Sequence, residues 1–285
     1  VAFFANLTYL FPGRKLTVIG VTGTDGKTTT VNLIYHILKS SGKNVSMLTS
    51  IGASVGKKDY ETGFHVTTPS PFALQKFLRQ AVQSGSEYFV LEVTSHALDQ
   101  YRTWGIPFKV GVLTNITSEH LDYHKTFDHY LHTKEKLLKM AKIAVVNRDD
   151  GSYTLLSDAK NSKDNKNWIT YGFFDSADVN LKNFTFESKV MIDSFNKYNV
   201  LAAATVAKSL GLSHEEIRNA IKTFKLPLGR VDFVYEGEFS VLIDFAHTPN
   251  AFEQLLSSLR ESTKGRIIHV FGSAGERDHS KRPFM

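Results

Sequence analysis

The stretch GVTGTDGKTTT, Gly20 to Thr30, decides the fold. The apolar run LTVIGV (Leu16 to Val21) leads into it and reads as a buried strand. Gly23, Thr24, Asp25 and Gly26 then form a glycine-rich turn, and a helical pattern begins at Lys27. Strand, loop, Lys-Thr and helix in this order aim backbone N–H groups and the positive end of a helix at an anion. Lys27 is expected on β and γ phosphates, and the Thr28 hydroxyl on a magnesium ion. Val21 stands where the general Walker pattern has its first glycine, so the match to that pattern is incomplete.

Working outward, short apolar runs VSMLT, YFVLEV, VGVLTN and IAVVN read as further buried parallel strands. Helical patterns alternate with them. TTVNLIYHILKSSG carries apolar positions Val31, Ile34, Ile37 and Leu38 and stops at Gly42; SPFALQKFLRQAVQSG opens with Ser70 as N-cap and Pro71 at the first helical position. This βαβ order predicts an α/β fold with a doubly wound, mostly parallel central sheet. Residues 150–192 change character: NWITYGF and DVNLKNFTFESKVMIDS are expected as an antiparallel extension. Helices return at YNVLAAATVAKSLG and SHEEIRNAIKTF, the latter with Ser213 and Glu216 as a capping box. LPLGR, Leu226 to Arg230, reads as a hinge. FSVLIDF, a helix from Pro249, and RIIHVFG then look like the opening β-α-β of a second, Rossmann-like α/β unit.

Composition narrows the function classes. The 285 residues carry a net charge of +6, with basic residues spread along the chain, which suits acidic, phosphorylated substrates as well as a nucleic-acid face. Cysteine is absent, which excludes disulfides and thiolate metal sites and fits a reducing compartment. No run approaches the roughly 20 apolar residues of a membrane span. The apolar start VAFFANLTYLFPG lacks the marks of a signal peptide, and the missing initiator Met and the ending KRPFM are expected to be the cut ends of something longer.

Individual residues add chemistry. Glu92 ends the strand YFVLEV, where a carboxylate facing the loop suits a hard cation or, equally, a helix cap or ion pair. His120 and His124, four apart, resemble half a zinc site but have no third soft ligand near them. Three lysines around YLHTKEKLL read as a solvated helix face.

EVTSHAL (Glu92–Leu98), TNITSEHLDYH (Thr114–His124), YLHTKEKLL (Tyr130–Leu138), FNKYN (Phe195–Asn199), LGR (Leu228–Arg230), DFAHTPNA (Asp244–Ala251) and FGSAGERDHSKRPFM (Phe271–Met285) follow the phosphate loop in order. In that order they resemble the Mur ligase family, in its tripeptide-synthetase branch, over nearly the whole chain. The resemblance implies three regions: residues 1–14 as a remnant of a UDP-binding domain, 15–227 as a complete ATP-binding domain, and 228–285 as the first part of a C-terminal domain. It implies an ATP-dependent ligase of peptidoglycan synthesis, cytoplasmic and monomeric, with neither nucleic acid nor membrane as partner. The substrates would be a UDP-N-acetylmuramoyl-dipeptide and a third amino acid, diaminopimelate or lysine, joined through an acyl phosphate.

The same resemblance assigns Gly23, Thr24, Asp25, Gly26, Lys27, Thr28, Thr29, Asn196, Asn199, Arg230, Asp244 and His247 to ATP. Thr28 and Glu92 would hold Mg²⁺, His120 would serve a second ion, a carbamylated Lys134 would hold a metal or orient a neighbouring group, and Lys27, Glu92, His120 and Lys134 would be the catalytic set. Thr67, Thr68, Thr94, Gln100 and Arg102 would contact the muramoyl-peptide; Lys281 and Arg282 carry no firm role.

Five residues depart from the family pattern. Asp25 replaces an Asn, Thr94 a Ser, Asn250 an Asp, and Ser273-Ala274 a Cys-Gly. A carboxylate at Asp25 would repel phosphate unless it points away or caps the helix. The competing readings are another ligase of the superfamily such as folylpolyglutamate synthase, a phosphate-loop switch or partitioning ATPase, and a nucleotide-binding remnant without ligase activity.

Overall fold

The computed structural model describes residues 1–60, 67–117, 119–156, 167–187, 194–273 and 281–285. An eight-stranded sheet forms its centre. The strands are β1 (Thr17–Thr22), β2 (Val45–Leu48), β3 (Ala53–Val55), β4 (Lys58–Tyr60), β5 (Tyr88–Glu92), β6 (Phe108–Leu113), β7 (Ile143–Asn147) and β8 (Asn167–Tyr171), in spatial order β4-β3-β2-β5-β1-β6-β7-β8. β2, β5, β1, β6, β7 and β8 run parallel; β3 and β4 are antiparallel at one edge.

The central strands are continuous apolar runs because helices cover both faces. Ile19 and Val21 of β1 join one core with α2 (Lys27–Ser40), α7 (Ser194–Ser209) and α8 (His214–Thr223). Val18 joins the opposite core with Leu74 and Leu78 of α3 (Pro71–Gln83) and Leu137 of α6 (Phe127–Met140). α1 (Ala2–Thr8) precedes the sheet, while α4 (Ser95–Asp99) follows β5 and α5 (Leu121–His124) follows β6. Local chemistry places the helix ends as expected. Ser70 caps α3 through Ala73 N–H with Pro71 following, and Ser213 with Glu216 makes both halves of a capping box on α8. Gly42, in a left-handed conformation, ends α2.

Three expectations are corrected. NWITYGF forms β8, but it pairs parallel with β7, since the long connection from Asn147 permits a crossover. In the following stretch only Val179 bridges Tyr171, residues 181–187 are turn and irregular backbone, and 188–193 lie outside the described residues. The antiparallel strands sit instead at β3–β4, a hairpin turning at Gly56, which sequence reading missed because each strand is only three residues long.

In the second unit, β9 (Asp232–Glu236) and β10 (Ser240–Ile243) pair antiparallel, and α9 (Pro249–Ser262) follows. RIIHVFG is not a strand: a strand exists by pairing, and Arg266–Gly272 finds no ladder partner among the described residues. Ile268 and Val270 are accordingly exposed.

Candidate active site

β1, β2, β5 and β6 deliver their carboxyl ends to one rim of the sheet, where open α/β sheets bind ligands. A cavity of about 770 Å³ lies there, between the sheet and the second unit.

The phosphate loop leaves β1 at Gly23 and enters α2 after Gly26. Gly23 has φ +151° and Gly26 φ +80°, conformations that side chains resist. A Cβ on Gly23 would lie 1.8 Å from Thr114 Oγ1, and one on Gly26 2.4 Å from Asn199 Oδ1. The loop is thus wedged between the end of β6 and α7. Lys27 Nζ donates to the carbonyls of Gly23 (3.1 Å) and Thr24 (2.6 Å). Thr24, Asp25, Gly26, Lys27, Thr28 and Thr29 all line the cavity; Gly23 does not.

Glu92 ends β5 directly below. Its carboxylate is buried and accepts from Thr28 Oγ1 (3.0 Å) and Ser50 N–H (3.0 Å). Two hard oxygen donors from different elements, one a buried carboxylate without a salt-bridge partner among the described residues, fit a magnesium ion. Among the described residues no three acidic or His side chains converge on one point, so such an ion would complete its shell with phosphate and water oxygens.

Thr68, fully buried, braces this wall from behind. Its hydroxyl donates to Glu92 O (3.0 Å) and accepts from Thr94 N–H (3.0 Å). Thr67, Thr94 and Arg102 face the cavity. Arg102 is held by Gln100 Oε1, at 2.9 Å from Nε and 2.6 Å from Nη2, and donates to Thr68 O (2.8 Å). Thr68 and Gln100 are therefore supports rather than lining. Thr94 also caps α4.

His120, in a left-handed backbone conformation, lines the cavity between His96 and Glu119. Burial lowers its pKa to about 4 despite the opposing pull of Glu119, so the ring is neutral and free to ligate. His124 is buried outside the cavity and bonded to Ser95 Oγ at 2.9 Å, a structural residue. Lys134 is no solvated lysine. It is 2% exposed, its Nζ donates to Gly23 O (2.6 Å) and sits 4.5 Å from the Tyr130 ring centre. Burial first, and the charge of Lys27 second, push its pKa well below the ordinary lysine value, which favours the neutral amine that carbamylation needs. It lies behind the loop, beneath Gly23, and does not line the cavity.

Asn196 and Asn199 on α7 meet each other (3.2 Å), and Asn199 accepts from Thr30 Oγ1 (3.2 Å); both line the far wall. From the second unit, Arg230 Nη2 reaches Thr28 Oγ1 (3.3 Å), and Asp244 accepts from Val231 N–H (2.8 Å). His247 Nε2 reaches Glu119 at 3.3 Å. Lys281 reaches the same carboxylate at 3.2 Å, while the preceding residues 274–280, including Ala274 and the whole ERDHS stretch, lie outside the described residues.

Glu119 is the residue that sequence reading missed, although it sits inside SEHLDYH beside His120. Burial alone would raise its pKa, but the hydrogen bond from His247 and the charges of His120 and Lys27 hold it well below the carboxylate range. Ser50 and Asn115 were missed too; Asn115 Oδ1 accepts from Asp25 N–H at 2.9 Å. Asp25 itself turns away from the loop interior toward the second unit, and two departures from the family pattern meet there: Asn250 Nδ2 donates to Asp25 Oδ2 at 3.2 Å.

Residues 21–207 match the family described as Mur ligase middle domain, and residues 229–285 the Mur ligase, glutamate ligase domain. The chain belongs to the Mur ligase family. Among its relatives, this Mur ligase chain is 37% identical over 295 residues to UDP-N-acetylmuramoyl-L-alanyl-D-glutamate--2,6-diaminopimelate ligase 1 of Clostridium acetobutylicum, covering 96% of the chain and 60% of that protein. It is 35% identical to the corresponding ligase of Clostridium botulinum, covering 100% of the chain and 62% of that protein. A solved structure of a UDP-N-acetylmuramoyl-L-alanyl-D-glutamate--2,6-diaminopimelate ligase superposes with a TM-score of 0.75 at 29% identity, over 95% of this chain and 59% of that one. The Mur ligase chain thus spans about three-fifths of the length of the relatives it matches.

Proposed function

We propose that this protein is the ATP-dependent ligase that adds diaminopimelate to UDP-N-acetylmuramoyl-L-alanyl-D-glutamate in peptidoglycan synthesis. Residues 1–14 would be a remnant of a UDP-binding domain, 15–227 the ATP-binding domain and 228–285 the start of the C-terminal domain, in a cytoplasmic monomer. The observation that carries the reading is the contact of Thr28 with the buried Glu92 carboxylate under a glycine loop, in one cavity with Arg102, His120, Arg230 and His247. The names of the relatives support diaminopimelate over lysine.

In this reading the dipeptide carboxylate attacks the γ-phosphorus of ATP, giving an acyl phosphate and ADP. The amine then attacks the acyl carbon, and inorganic phosphate leaves. Two anions must approach each other, so the work of the site is positioning and charge neutralisation. Loop N–H groups and Lys27 hold the β and γ phosphates, Arg230 approaches them from the second unit, and Arg102 pairs with a substrate anion. Thr28 and Glu92 would hold Mg²⁺, with His120 and carbamylated Lys134 serving a second ion; bound there, magnesium neutralises charge between phosphate and carboxylate. Asn196, Asn199, Asp244 and His247 would complete the nucleotide wall.

The test is phosphate release from ATP by the protein, with the muramoyl-dipeptide and then diaminopimelate or lysine added separately. Release that requires the dipeptide and diaminopimelate supports the proposal. Release indifferent to both removes the ligase reading, and dependence on lysine corrects the amino acid.

A further inference from the structure

Asp25 occupies the phosphate loop, yet among the described residues its carboxylate hydrogen-bonds to Thr248 and Asn250 rather than to that loop. Its backbone is fixed from the sheet side. The N–H donates to Asn115 Oδ1 (2.9 Å), and the carbonyl accepts from Thr114 Oγ1 (2.7 Å) and Asn115 Nδ2 (3.2 Å). With the peptide pinned in this way, the side chain projects to the N-terminus of α9. There Thr248 Oγ1 lies 3.4 and 3.5 Å from the two carboxylate oxygens, and Asn250 Nδ2 3.2 Å from one of them. A carboxylate only accepts, so the amide nitrogen of Asn250 must be the atom that faces it.

Thr248 is 1% exposed and is the N-cap of α9, accepting from Ala251 N–H at 3.0 Å. Its hydroxyl has one proton to give, and Asp25 is the acceptor within reach. The start of a 14-residue helix also favours a negative charge, and Asp25 supplies it. The same turn is held on its other flank, where the buried Glu119 carboxylate reaches His247 at 3.3 Å and Lys281 at 3.2 Å.

We propose that Asp25 is a positioning residue rather than a nucleotide ligand: with Glu119 it forms a two-point clasp that seats the 247–250 turn and α9 over the phosphate loop. The clasp deepens the reading above by naming what registers the second unit on the first, and it rests on that reading only for the role of the loop. Because Thr114 and Asn115 belong to the end of β6 and touch both faces of the Asp25 peptide, the loop's shape and the seat of the second unit are set together.

The test exploits the absence of cysteine. Spin labels at S40C, on the end of α2, and S257C, on α9, report the distance between the units by pulsed electron resonance. Asn250→Asp places a second carboxylate against Asp25; the ratio of closed to open distances is expected to fall about tenfold or more, the effect of losing one charge-assisted hydrogen bond. The exchange D25N/N250D restores a donor–acceptor pair with the polarity reversed and is expected to recover the wild-type distribution. Thermal unfolding of each variant separates displacement of α9 from loss of fold. A wild-type distribution in N250D, or no recovery in the folded double variant, would overturn the clasp. Calorimetry with a non-hydrolysable ATP analogue on the wild type runs beside it: failure to bind would remove the nucleotide reading, while the distance comparison still judges the clasp.

Discussion

Replacing Gly23 by Ala brings two costs that the structure makes explicit. The first is backbone: φ at +151° is a conformation that an L-residue enters at about 1–3 kcal/mol. The second is contact. The new Cβ would lie 1.8 Å from Thr114 Oγ1 and 3.2 Å from Asn115 N, and the latter is backbone that cannot swing aside. Relief requires Thr114 to rotate, which breaks its 2.7 Å bond to Asp25 O and leaves buried polar atoms unpaired, about 1–3 kcal/mol more. The sum, about 2–6 kcal/mol, is a large part of the roughly 5–15 kcal/mol that holds a domain folded.

Urea unfolding of wild type, G23A, T114A and G23A/T114A measures it. Removing the Thr114 hydroxyl removes the worst contact, so the double variant should cost about 1–2 kcal/mol less than the two singles added. If G23A unfolds within about 0.5 kcal/mol of wild type, the surface-substitution range, the account of the loop as a wedged turn is wrong.

Lys27→Ala should abolish nucleotide turnover without changing the unfolding midpoint, since among the described residues Lys27 hydrogen-bonds only loop carbonyls; normal phosphate release in that variant would refute the phosphate-loop assignment. Lys134→Ala should be slow and partly rescued by added short carboxylates if a carbamate acts there, and a rate unmoved by acetate or formate would argue for a plain structural lysine. His124, buried and with its pKa lowered to about 4 by burial first and by His96 and His129 next, makes the fold acid-sensitive. The unfolded chain binds the proton near pH 6.5 and the folded one only near 4, so this stability is present above pH 6.5 and is lost as pH falls toward 4, at up to about 1.4 kcal/mol per pH unit. His124→Asn should flatten the slope of the urea midpoint between pH 7 and 5; an unchanged slope would assign the acid sensitivity elsewhere.

The order strand, loop, Lys-Thr, helix was legible because each piece is fixed by near neighbours. The apolar run of β1, the glycines at positive φ, and the caps Ser70 and Ser213 act over three or four residues. Many of the residues the family motifs pointed to, from Lys27 to His247, line one cavity, while Gly23, Thr68, Gln100 and Lys134 lie outside its lining. Pairing partners were not legible. Whether Asn167–Tyr171 runs parallel to β7, and whether Arg266–Gly272 pairs at all, depends on which ladder is offered, and that is a property of the assembled sheet.

The sequence by itself determined the doubly wound sheet, the phosphate loop, and Glu92 at a strand end, since these follow from local period and turn chemistry. Only the tertiary structure decided which way the polar groups face. Lys134 reads as a solvated lysine until the chain, 111 positions on from Gly23, returns it beneath that residue. Asp25 reads as a phosphate neighbour until Asn250, 225 positions on, supplies its donor, and Glu119 gains its role from His247 and Lys281 across the cleft. A charge takes its meaning from what lies within a few ångströms, and over such separations only the fold determines which groups those are.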